Sequence, residues 1–415
     1  MKTVVIGSGS WGTGLGQVLC DNGREVIIYG NCKEQIDDIE QNHRNAMFFE
    51  DVQLNPDLHA TMDVNVVKDA DVVVLSVPTI AIESVCRQID PLLKGKVIIV
   101  NTSKGFHPET NERMSQVIRR FISEEHLSSV VSLIGPSHAE EVVIRMLTTI
   151  CAVSLRHEDA VVIQELFSND YFRVYTGSDE IGSEVGVALK NAIAVASGVL
   201  SGLGYGDNTR AALMTRGLAE MIRFGTAMGG KPETFMGLTG IGDLIVTCSS
   251  RHSRNFQAGY EIGKANDAQA FWKYNKKTVE GVRTAKVVYE LAQQMPVSRD
   301  FAAMLGLHIL SREGYEADDI LGTLARMAEE SGDCTAYLLT GDRDALQLIS
   351  PRVHVLLAGN NETTDMDEVA FTARYGITPD RFVDVKALMG DTSDNIPGVP
   401  GVGEKTALKL IAEYG

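Results

Sequence analysis

The chain has 415 residues, 44% of them hydrophobic and 22% charged, which is typical of globular proteins and excludes a disordered or collagen-like chain. Because domains average roughly 150 residues, this length predicts two or three of them. The formal net charge of −17 opposes general binding to nucleic acid or to anionic membranes.

The N-terminus and the cysteines bear on where the protein works. Residues 1–7 lead directly into a β-branched run without the apolar segment of a signal peptide. No apolar run approaches the ~20 residues needed to span a bilayer. The six cysteines are far apart, with no Cys-x-x-Cys pair, which predicts reduced thiols and neither a zinc site nor a disulfide framework. We expect a cytoplasmic protein without a membrane span.

The first 180 residues alternate short β-branched runs with helical stretches. The runs are Thr3–Ile6, Glu25–Tyr29, Asp71–Val77, Lys96–Asn101 and Val130–Ile134. This alternation predicts parallel strands joined by crossover helices. Residues 1–180 are therefore predicted to form an α/β Rossmann domain with a doubly wound parallel sheet.

A glycine-rich loop follows the first predicted strand and opens a predicted helix. It reads G-S-G-S-W-G over residues 7–12. The first glycine permits the tight turn, the second lets a pyrophosphate approach the backbone, and the third lets helix and strand pack closely. Free N–H groups and the helix dipole then bind phosphate. Gly7, Gly9, Ser10, Trp11 and Gly12 are predicted to bind a dinucleotide, although such a motif alone also fits an ordinary glycine turn.

The second predicted strand ends in Y-G-N-C-K at residues 29–33. It lacks the Asp or Glu that would bind the ribose 2′-hydroxyl of NAD about 20 residues after the glycine loop. NADP is therefore favoured, or the use of both NADP and NAD. Asn31 and Lys33 are candidates to contact a 2′-phosphate. Both residues are equally typical of an ordinary solvated loop.

Residues 181–297 are rich in Ala, Gly and Met. The helical period of Val187–Leu200 and Arg210–Met228 predicts an all-helical second domain. After Val297, strand and helix signals resume with many carboxylates: residues 301–415 contain 19 Asp and Glu against 9 Lys and Arg. We place a seam at 296–300 and a third domain at 298–415.

A series of ordered motifs in residues 1–297 resembles bacterial NAD(P)-dependent glycerol-3-phosphate dehydrogenase. After the glycine loop come N-T-S-K-G at 101–105, G-P-S-H-A-E at 135–140, A-L-K-N at 188–191, G-I-G-D-L at 240–244, S-R-N at 253–255 and V-E-G at 279–281. In that family the reaction is reversible hydride transfer between nicotinamide and C2 of dihydroxyacetone phosphate or sn-glycerol 3-phosphate, a precursor of glycerophospholipids. The resemblance implies this activity.

Three charged residues carry the implied chemistry. The resemblance implies that Lys190 is the general acid/base on the C2 oxygen, that Lys104 polarises that oxygen or binds the phosphate, and that Asp243 orients the Lys190 ammonium. The residues agree, because Lys190 lies inside the apolar run Val187–Val195, where a buried ammonium would be costly without a task. The alternative is a lysine that reaches from an apolar helix to solvent.

Further contacts are implied by the same resemblance. The substrate-binding set is Lys104, Gly135, Ser137, Lys190, Asp243, Ser253, Arg254 and Asn255. The cofactor-binding set is Gly7, Gly9, Ser10, Trp11, Gly12, Asn31, Lys104, Ala139, Arg254 and Glu280. In the family, a closing helical segment should follow Val297, and here a different sequence replaces it. The resemblance therefore leaves open whether this chain forms a homodimer.

Residues 301–415 resemble the 5′-nuclease domain of bacterial DNA polymerase I. The motifs are G-Y-E-A-D-D-I-L-G-T-L at 314–324, G-D-R-D at 341–344 and V-K-A-L-M-G-D-T-S-D-N-I-P-G at 385–398. That nuclease holds Mg²⁺ or Mn²⁺ in clustered carboxylates, and the metals activate water against a phosphodiester. The implied metal ligands are Glu316, Asp318, Asp319, Asp342, Asp344, Asp391 and Asp394.

The segment G-V-P-G-V-G-E-K-T-A at 398–407 resembles a helix-hairpin-helix. Its turn would aim N–H groups at DNA phosphates, which implies a weak DNA contact, although a plain interhelical turn would also be glycine-rich. The family's nuclease begins with a strand that carries a further metal-binding Asp, followed by a basic arch, and neither has a counterpart in residues 1–297. We therefore predict a truncated α/β fragment without nuclease activity.

Three hypotheses remain open. The preferred one is a dehydrogenase that carries an inactive nuclease fragment. The second is a DNA-binding or metal-binding protein in which the Rossmann part is a scaffold, and net acidity and the missing arch count against it. The third is a bifunctional enzyme, which requires nuclease chemistry from an incomplete set of carboxylates.

Overall fold

The computed structural model describes residues 1–265, 279–294, 314–358, 363–391 and 396–414. The chain divides into two compact units, Met1–His308 and Ile309–Gly415. Each unit has a hydrophobic core of its own. The predicted seam at 296–300 lies outside the described residues.

The first unit contains an eight-stranded sheet. Its strands are β1 (Thr3–Ile6), β2 (Val26–Tyr29), β3 (His59–Thr61), β4 (Val72–Leu75), β5 (Val97–Asn101), β6 (Leu127–Ile134), β7 (Thr148–Val153) and β8 (Phe172–Gly177). They lie in the order β3-β2-β1-β4-β5-β6-β7-β8. Strands β1 to β6 are parallel, with β1 next to β4 as in a doubly wound sheet. The predicted Rossmann fold is confirmed.

One strand pair departs from the predicted parallel sheet. Strand β7 runs antiparallel to β6, and β8 continues parallel to β7. The connection from β6 to β7 holds only the one-turn helix Ala139–Val142, too short to carry the chain back across the sheet for a parallel crossover. Strands β3, β7 and β8 are additions to the five predicted runs.

Helices cover both faces of this sheet. They are α1 (Ser10–Asp21), α2 (Lys33–Asn42), α3 (Ile82–Ile89), α4 (Met114–Phe121), α5 (Ala139–Val142) and α6 (His157–Phe167). Successive side chains of β1 enter different cores: Val5 packs in the core that contains Leu15, and Val4 and Ile6 pack in the core that contains Ile118. Because both faces are buried, the central strands are apolar throughout.

The rest of the first unit is helical in its described residues. The helices are α7 (Glu180–Gly202), α8 (Asp207–Ala227), α9 (Pro232–Phe235), α10 (Asp243–Ser249), α11 (Arg254–Ala265) and α12 (Glu280–Gln294). Helix α7 is long and apolar enough to span a bilayer, although no apolar run of that length was expected from the sequence. Two thirds of its most apolar window (67%) is buried within the protein, as in the core helix of a globular domain.

Helices α7 and α11 pack with their backbones in close contact. Gly198 and Gly202 on α7 meet Gly259 and Gly263 on α11, and a Cβ at Gly259 would overlap the carbonyl oxygen of Val195. Without side chains at these crossing points, the two helix axes approach more closely than interdigitated side chains allow. The contact holds the middle and the end of α11 against the C-terminal third of α7.

The second unit is a small α/β fold in its described residues. Its sheet has the order β11-β10-β9 and consists of β9 (Ala336–Thr340), β10 (Val353–Ala358) and β11 (Thr363–Met366). The accompanying helices are α13 (Ala317–Ser331), α14 (Glu368–Tyr375), α15 (Phe382–Met389) and α16 (Glu404–Tyr414). Strand β10 is parallel to β9 and antiparallel to β11. The core includes Leu346, Val355 and Phe371.

We expect Gly259→Ala to destabilise the first unit by about 1–3 kcal/mol, the usual cost of overpacking, because α11 must move away from α7 to admit a methyl group. Urea unfolding followed by circular dichroism measures the change. Gly95→Ala is the control, since Gly95 is exposed and a Cβ there meets nothing within 4 Å. Equal unfolding midpoints for the two variants would contradict the close packing.

Candidate active site

Lys190 is buried in the middle of α7, 3% exposed. Its Nζ donates to Asp243 Oδ1 at 2.5 Å and to Thr247 Oγ1 at 2.7 Å. Burial lowers the pKa of Lys190 to about 7, the Asp243 carboxylate opposes that shift, and the nearby Lys104 ammonium adds to it. The structure therefore holds an amine that exchanges its proton near neutral pH.

Asp243 lies between two ammonium groups. It begins α10 directly after a π-helical turn, Leu238–Gly242. Its Oδ2 atom is 3.6 Å from the Nζ of Lys104 and accepts no hydrogen bond from a described side chain. Lys104 follows β5, and its Nζ donates to the carbonyl oxygen of Gly135 at 3.2 Å. The three residues predicted to be catalytic thus lie together.

A chain of amide contacts surrounds this cluster. The Asn191 side chain donates to the carbonyl oxygen of Lys104 at 3.4 Å, and the Asn255 side chain donates to Asn191 Oδ1 at 2.9 Å. Asn255 Oδ1 accepts the N–H of Gly281 at 2.9 Å. Asn255, predicted to bind substrate, is therefore held between α7 and α12.

The remaining predicted substrate residues flank the cluster. Ser137 donates to the carbonyl oxygen of Gly135 at 3.1 Å. The Ser253 hydroxyl accepts the N–H of Phe256 at 3.2 Å, so it also caps α11. Arg254 is exposed at the first position of α11.

Glu280, predicted to bind the cofactor, contacts the Rossmann part of the unit. Its Oε1 accepts the Thr79 hydroxyl at 3.4 Å. Burial raises the pKa of Glu280, while its bond to the Thr79 backbone and the charges of Arg254 and Arg283 oppose the shift. Glu280 therefore ties α12 to the segment after β4.

The glycine loop has the geometry that a bound pyrophosphate needs. Gly7 has a φ of +116°, and a Cβ at Gly7 or Gly12 would overlap a carbonyl oxygen, whereas a Cβ at Gly9 meets nothing within 4 Å. No side chain caps α1 at Gly9, and the buried indole Nε1 of Trp11 has no partner among the described groups. Open space and free donors at one helix N-terminus fit a dinucleotide phosphate.

The other predicted cofactor contacts lie around this loop. Asn31 is exposed beyond the end of β2, and Ser10 begins α1. Lys33 is paired with Asp37 one turn further along α2. Ala139 is buried at the start of α5, which packs against α1.

Some residues near the cluster were not singled out from the sequence. Thr247 and Asn191 contact Lys190 or its neighbours, and the ring of His138 lies 5.8 Å from that of His252. Burial, and then the charge of Lys104, hold the pKa of His138 below its usual range. Asn191 and His138 stand inside the quoted motifs, whereas Thr247 could have been found from its place one helical turn after Asp243.

Comparison with known proteins identifies the relatives of the first unit. Residues 2–160 match the NAD-dependent glycerol-3-phosphate dehydrogenase N-terminus, and residues 179–321 match its C-terminus. A glycerol-3-phosphate dehydrogenase [NAD(P)+] of Enterococcus faecalis is 51% identical over 297 residues, 71% of this chain and 87% of the relative. The chain belongs to the NAD-dependent glycerol-3-phosphate dehydrogenase family.

Two further dehydrogenases support this assignment. A Listeria innocua glycerol-3-phosphate dehydrogenase [NAD(P)+] is 44% identical over 336 residues, 80% of this chain and 98% of the relative. The crystal structure of glycerol-3-phosphate dehydrogenase from Coxiella burnetii is 30% identical with a TM-score of 0.66, covering 71% of this chain and 89% of that one.

The C-terminal part matches a different family. Residues 268–376 match the N-terminal resolvase-like domain of 5′-3′ exonuclease, and residues 377–415 match its C-terminal SAM fold. The exonuclease match begins before the dehydrogenase match ends, so residues 268–321 are shared between them. The expected combination of a dehydrogenase with an exonuclease fragment is confirmed.

The predicted metal ligands of the second unit are brought together only in part among the described residues. Burial, and then the charges of Asp342 and Asp344, raise the pKa of Asp318, so these carboxylates lie near one another. Among the residues described, however, no three His, Cys, Asp or Glu side chains are arranged to hold a metal ion. Asp394 lies outside the described residues.

Lys386 lies among the predicted ligands. Its Nζ lies 2.5 Å from Asp344 Oδ1 and 2.6 Å from Asp391 Oδ2, so an ammonium occupies the place between two predicted ligands. Asp319 accepts the N–H of Glu316 as part of a helix cap, and Asp342 accepts the N–H of Asp344. Asp319, Asp342, Asp344 and Asp391 thus already bind groups of the protein. The described residues show no arrangement that fits Mg²⁺ or Mn²⁺.

We expect Mg²⁺ to change the free energy of unfolding of the second unit by less than ~0.4 kcal/mol, which is the stabilisation that a ligand produces at a concentration equal to its Kd. Lys386→Met should make unfolding depend on Mg²⁺, because Asp344 and Asp391 lose their cation. Thermal unfolding with Mg²⁺ and with Na⁺ at equal ionic strength measures both. Clear stabilisation of the unsubstituted chain by Mg²⁺ would show that a metal displaces Lys386.

Proposed function

We propose that the chain catalyses the reversible NAD(P)H-dependent reduction of dihydroxyacetone phosphate to sn-glycerol 3-phosphate. The observation that carries the proposal is the buried Lys190 ammonium, held by Asp243 and Thr247 beside Lys104. Family membership supports it, since relatives at 44–51% identity are named glycerol-3-phosphate dehydrogenase [NAD(P)+].

Lys190 is the proton donor in this proposal. Reduction of a ketone requires a proton on the carbonyl oxygen, and a bound nicotinamide supplies the hydride. With a pKa of about 7, Lys190 gives a proton during reduction and takes one during oxidation, because a group whose pKa matches the working pH is efficient in both directions. Asp243 and Thr247 fix the direction of its Nζ.

Lys104 and the flanking donors bind the rest of the substrate. The Lys104 ammonium, 20% exposed, carries positive charge to the same place as Lys190 and suits a carbonyl oxygen or a phosphate. Arg254, Asn255, Ser253 and Ser137 contribute donors of the kind that hold phosphate and hydroxyl groups. Gly135 positions Lys104 through its carbonyl oxygen.

The cofactor is proposed to bind along the glycine loop. Gly7, Gly9, Ser10, Trp11 and Gly12 surround the pyrophosphate, and Ala139, Arg254 and Glu280 lie towards the nicotinamide. Asn31 is proposed to contact the adenosine ribose or its 2′-phosphate. Because Lys33 is already paired with Asp37, we propose that NADPH and NADH are both accepted.

The C-terminal fragment is proposed to be inactive as a nuclease. Its turn between α15 and α16 has Gly398 and Gly401 at φ values of +59° and +82° and an exposed Lys405, which supports the predicted weak contact with DNA phosphates. Cytoplasmic location and a homodimer are retained as proposals from the sequence.

Lys190→Ala should reduce NADPH oxidation with dihydroxyacetone phosphate by about 10²- to 10⁴-fold, the usual contribution of a general acid. Absorbance of NADPH measures the rate, and Lys264→Ala, which changes an exposed lysine on α11, is the control. A Lys190→Ala enzyme that retains its activity would remove Lys190 from the mechanism.

The pH profile tests the same group independently. Ketone reduction requires protonated Lys190, so kcat/KM should fall as the pH rises through about 7, whereas oxidation of glycerol 3-phosphate should rise over the same range. Steady-state rates in both directions measure this. Profiles that move in the same direction would assign the proton transfer to a different group.

Asp37→Asn should lower the KM for NADPH and leave the KM for NADH unchanged, because Lys33 loses its carboxylate partner and becomes available to a 2′-phosphate. Initial rates with each cofactor measure the two constants. Glu25→Gln, which removes an exposed carboxylate before β2, is the control for net charge. An equal change for both cofactors would place Lys33 away from the 2′-position.

A further inference from the structure

A buried network of charged side chains joins helix α4 and strand β6 to helix α7. Arg113 Nη1 donates to Glu184 Oε2 at 2.9 Å and to Glu180 Oε1 at 3.2 Å. Arg119 binds Glu180 at 2.5 Å. Glu180 and Glu184 lie one turn apart on α7, and both are buried. Two cations and two anions thus form a neutral cluster inside the first unit.

Glu184 makes the most extensive contacts in this cluster. Its Oε1 accepts the Ser115 N–H at 3.1 Å and the Ser132 hydroxyl at 3.0 Å. Its Oε2 accepts the Ser115 hydroxyl at 2.7 Å as well as Arg113. One carboxylate therefore binds the start of α4, strand β6 and helix α7 to one another.

Strand β6 connects this cluster to the proposed proton donor. Ser132 lies on β6, and Gly135 follows the strand and accepts the hydrogen bond of Lys104. On α7, Glu184 precedes Lys190 by about 9 Å of helix rise. The end of β6 and the helix that carries Lys190 are consequently joined twice, through Glu184 and through the Lys104, Asp243 and Lys190 contacts.

Stability alone does not account for so many buried charges. The free energy needed to remove two ion pairs from water is roughly equal to the free energy of their attraction inside the protein. Apolar side chains of similar volume often stabilise a protein more. Burial, and then the charge of Glu180, raise the pKa of Glu184, which shows the cost of placing this carboxylate here. Directional bonds, in contrast to apolar contacts, specify the position of α7 along β6.

We infer that Glu184, together with Arg113 and Ser132, is a positioning residue for the proposed reaction, which sets where Lys190 stands relative to the strand ends that carry Lys104 and Gly135. This inference rests on the proposed dehydrogenase function. It requires Glu184 to affect the chemical step more than cofactor binding, because the glycine loop lies elsewhere on the sheet.

Glu184→Gln tests the inference in the full chain, with dihydroxyacetone phosphate and NADPH. We expect kcat to fall by about 10- to 100-fold, as for a small displacement of a catalytic group, with little change in the KM for NADPH. Ser132→Ala, which removes a single hydroxyl, should lower kcat less and in the same direction.

Glu220→Gln is the matched control. Glu220 is fully buried and binds Arg216 and Arg223, but all three residues lie on α8, so the substitution disturbs a buried ion pair without affecting the connection between β6 and α7. It should lower the melting temperature while kcat remains near that of the unsubstituted chain.

The outcomes separate the two proposals. If the unsubstituted chain reduces dihydroxyacetone phosphate and folded Glu184→Gln keeps its kcat, the positioning role is wrong and the proposed function stands. Equal losses of kcat in Glu184→Gln and Glu220→Gln would also overturn the positioning role. If Glu184→Gln does not fold, Ser132→Ala decides, and an unchanged kcat in that variant would overturn the role. An unsubstituted chain without turnover would instead refute the proposed function.

Discussion

The buried ammonium of Lys190 is the constraint on which the first unit depends. A lysine placed inside an apolar helix must find a carboxylate or lose its proton, and here Asp243 and Thr247 reach it from one turn of α10. That requirement fixes α10 beside α7, and the glycine contacts between α7 and α11 bring Asn255 to the same place. The helical part of the unit is thus organised around one polar group within an apolar core.

The Rossmann part completes the site because of its topology. Strands β5 and β6 are parallel neighbours, so their carboxyl ends meet at one edge of the sheet, where α/β proteins place their ligands. Lys104 follows β5 and Gly135 follows β6, and the two are hydrogen-bonded. Lys104 then lies near Oδ2 of Asp243, and Lys190 binds Oδ1 of the same carboxylate. A single carboxylate between two ammonium groups lowers the cost of gathering positive charge where a phosphorylated ketone would bind.

The sequence predicted what depends on local pattern. The β-branched runs and the glycine loop indicated the sheet and the phosphate site. The family resemblance indicated Lys190, and its place within the apolar run Val187–Val195 agreed with that role. The antiparallel strand β7 escaped prediction because its direction depends on the length of the preceding crossover. Glu184 escaped for another reason: its partners Arg113 and Ser132 are 71 and 52 residues away along the chain, so nothing in its own neighbourhood distinguishes it from a solvated carboxylate.

The second unit shows that the order of carboxylates along a sequence does not identify their counter-charge. Its carboxylates stand in the order that the exonuclease resemblance requires, yet Lys386 supplies the positive charge between Asp344 and Asp391. A cluster of anions needs a counter-charge of some kind, and sequence order does not reveal whether a metal or a lysine provides it. Within the described residues, β9 pairs only with β10, and it exposes Tyr337 and Leu339. A strand edge of this kind is where a further strand would add. Among the described residues, the fragment thus keeps a packed core with one open strand edge.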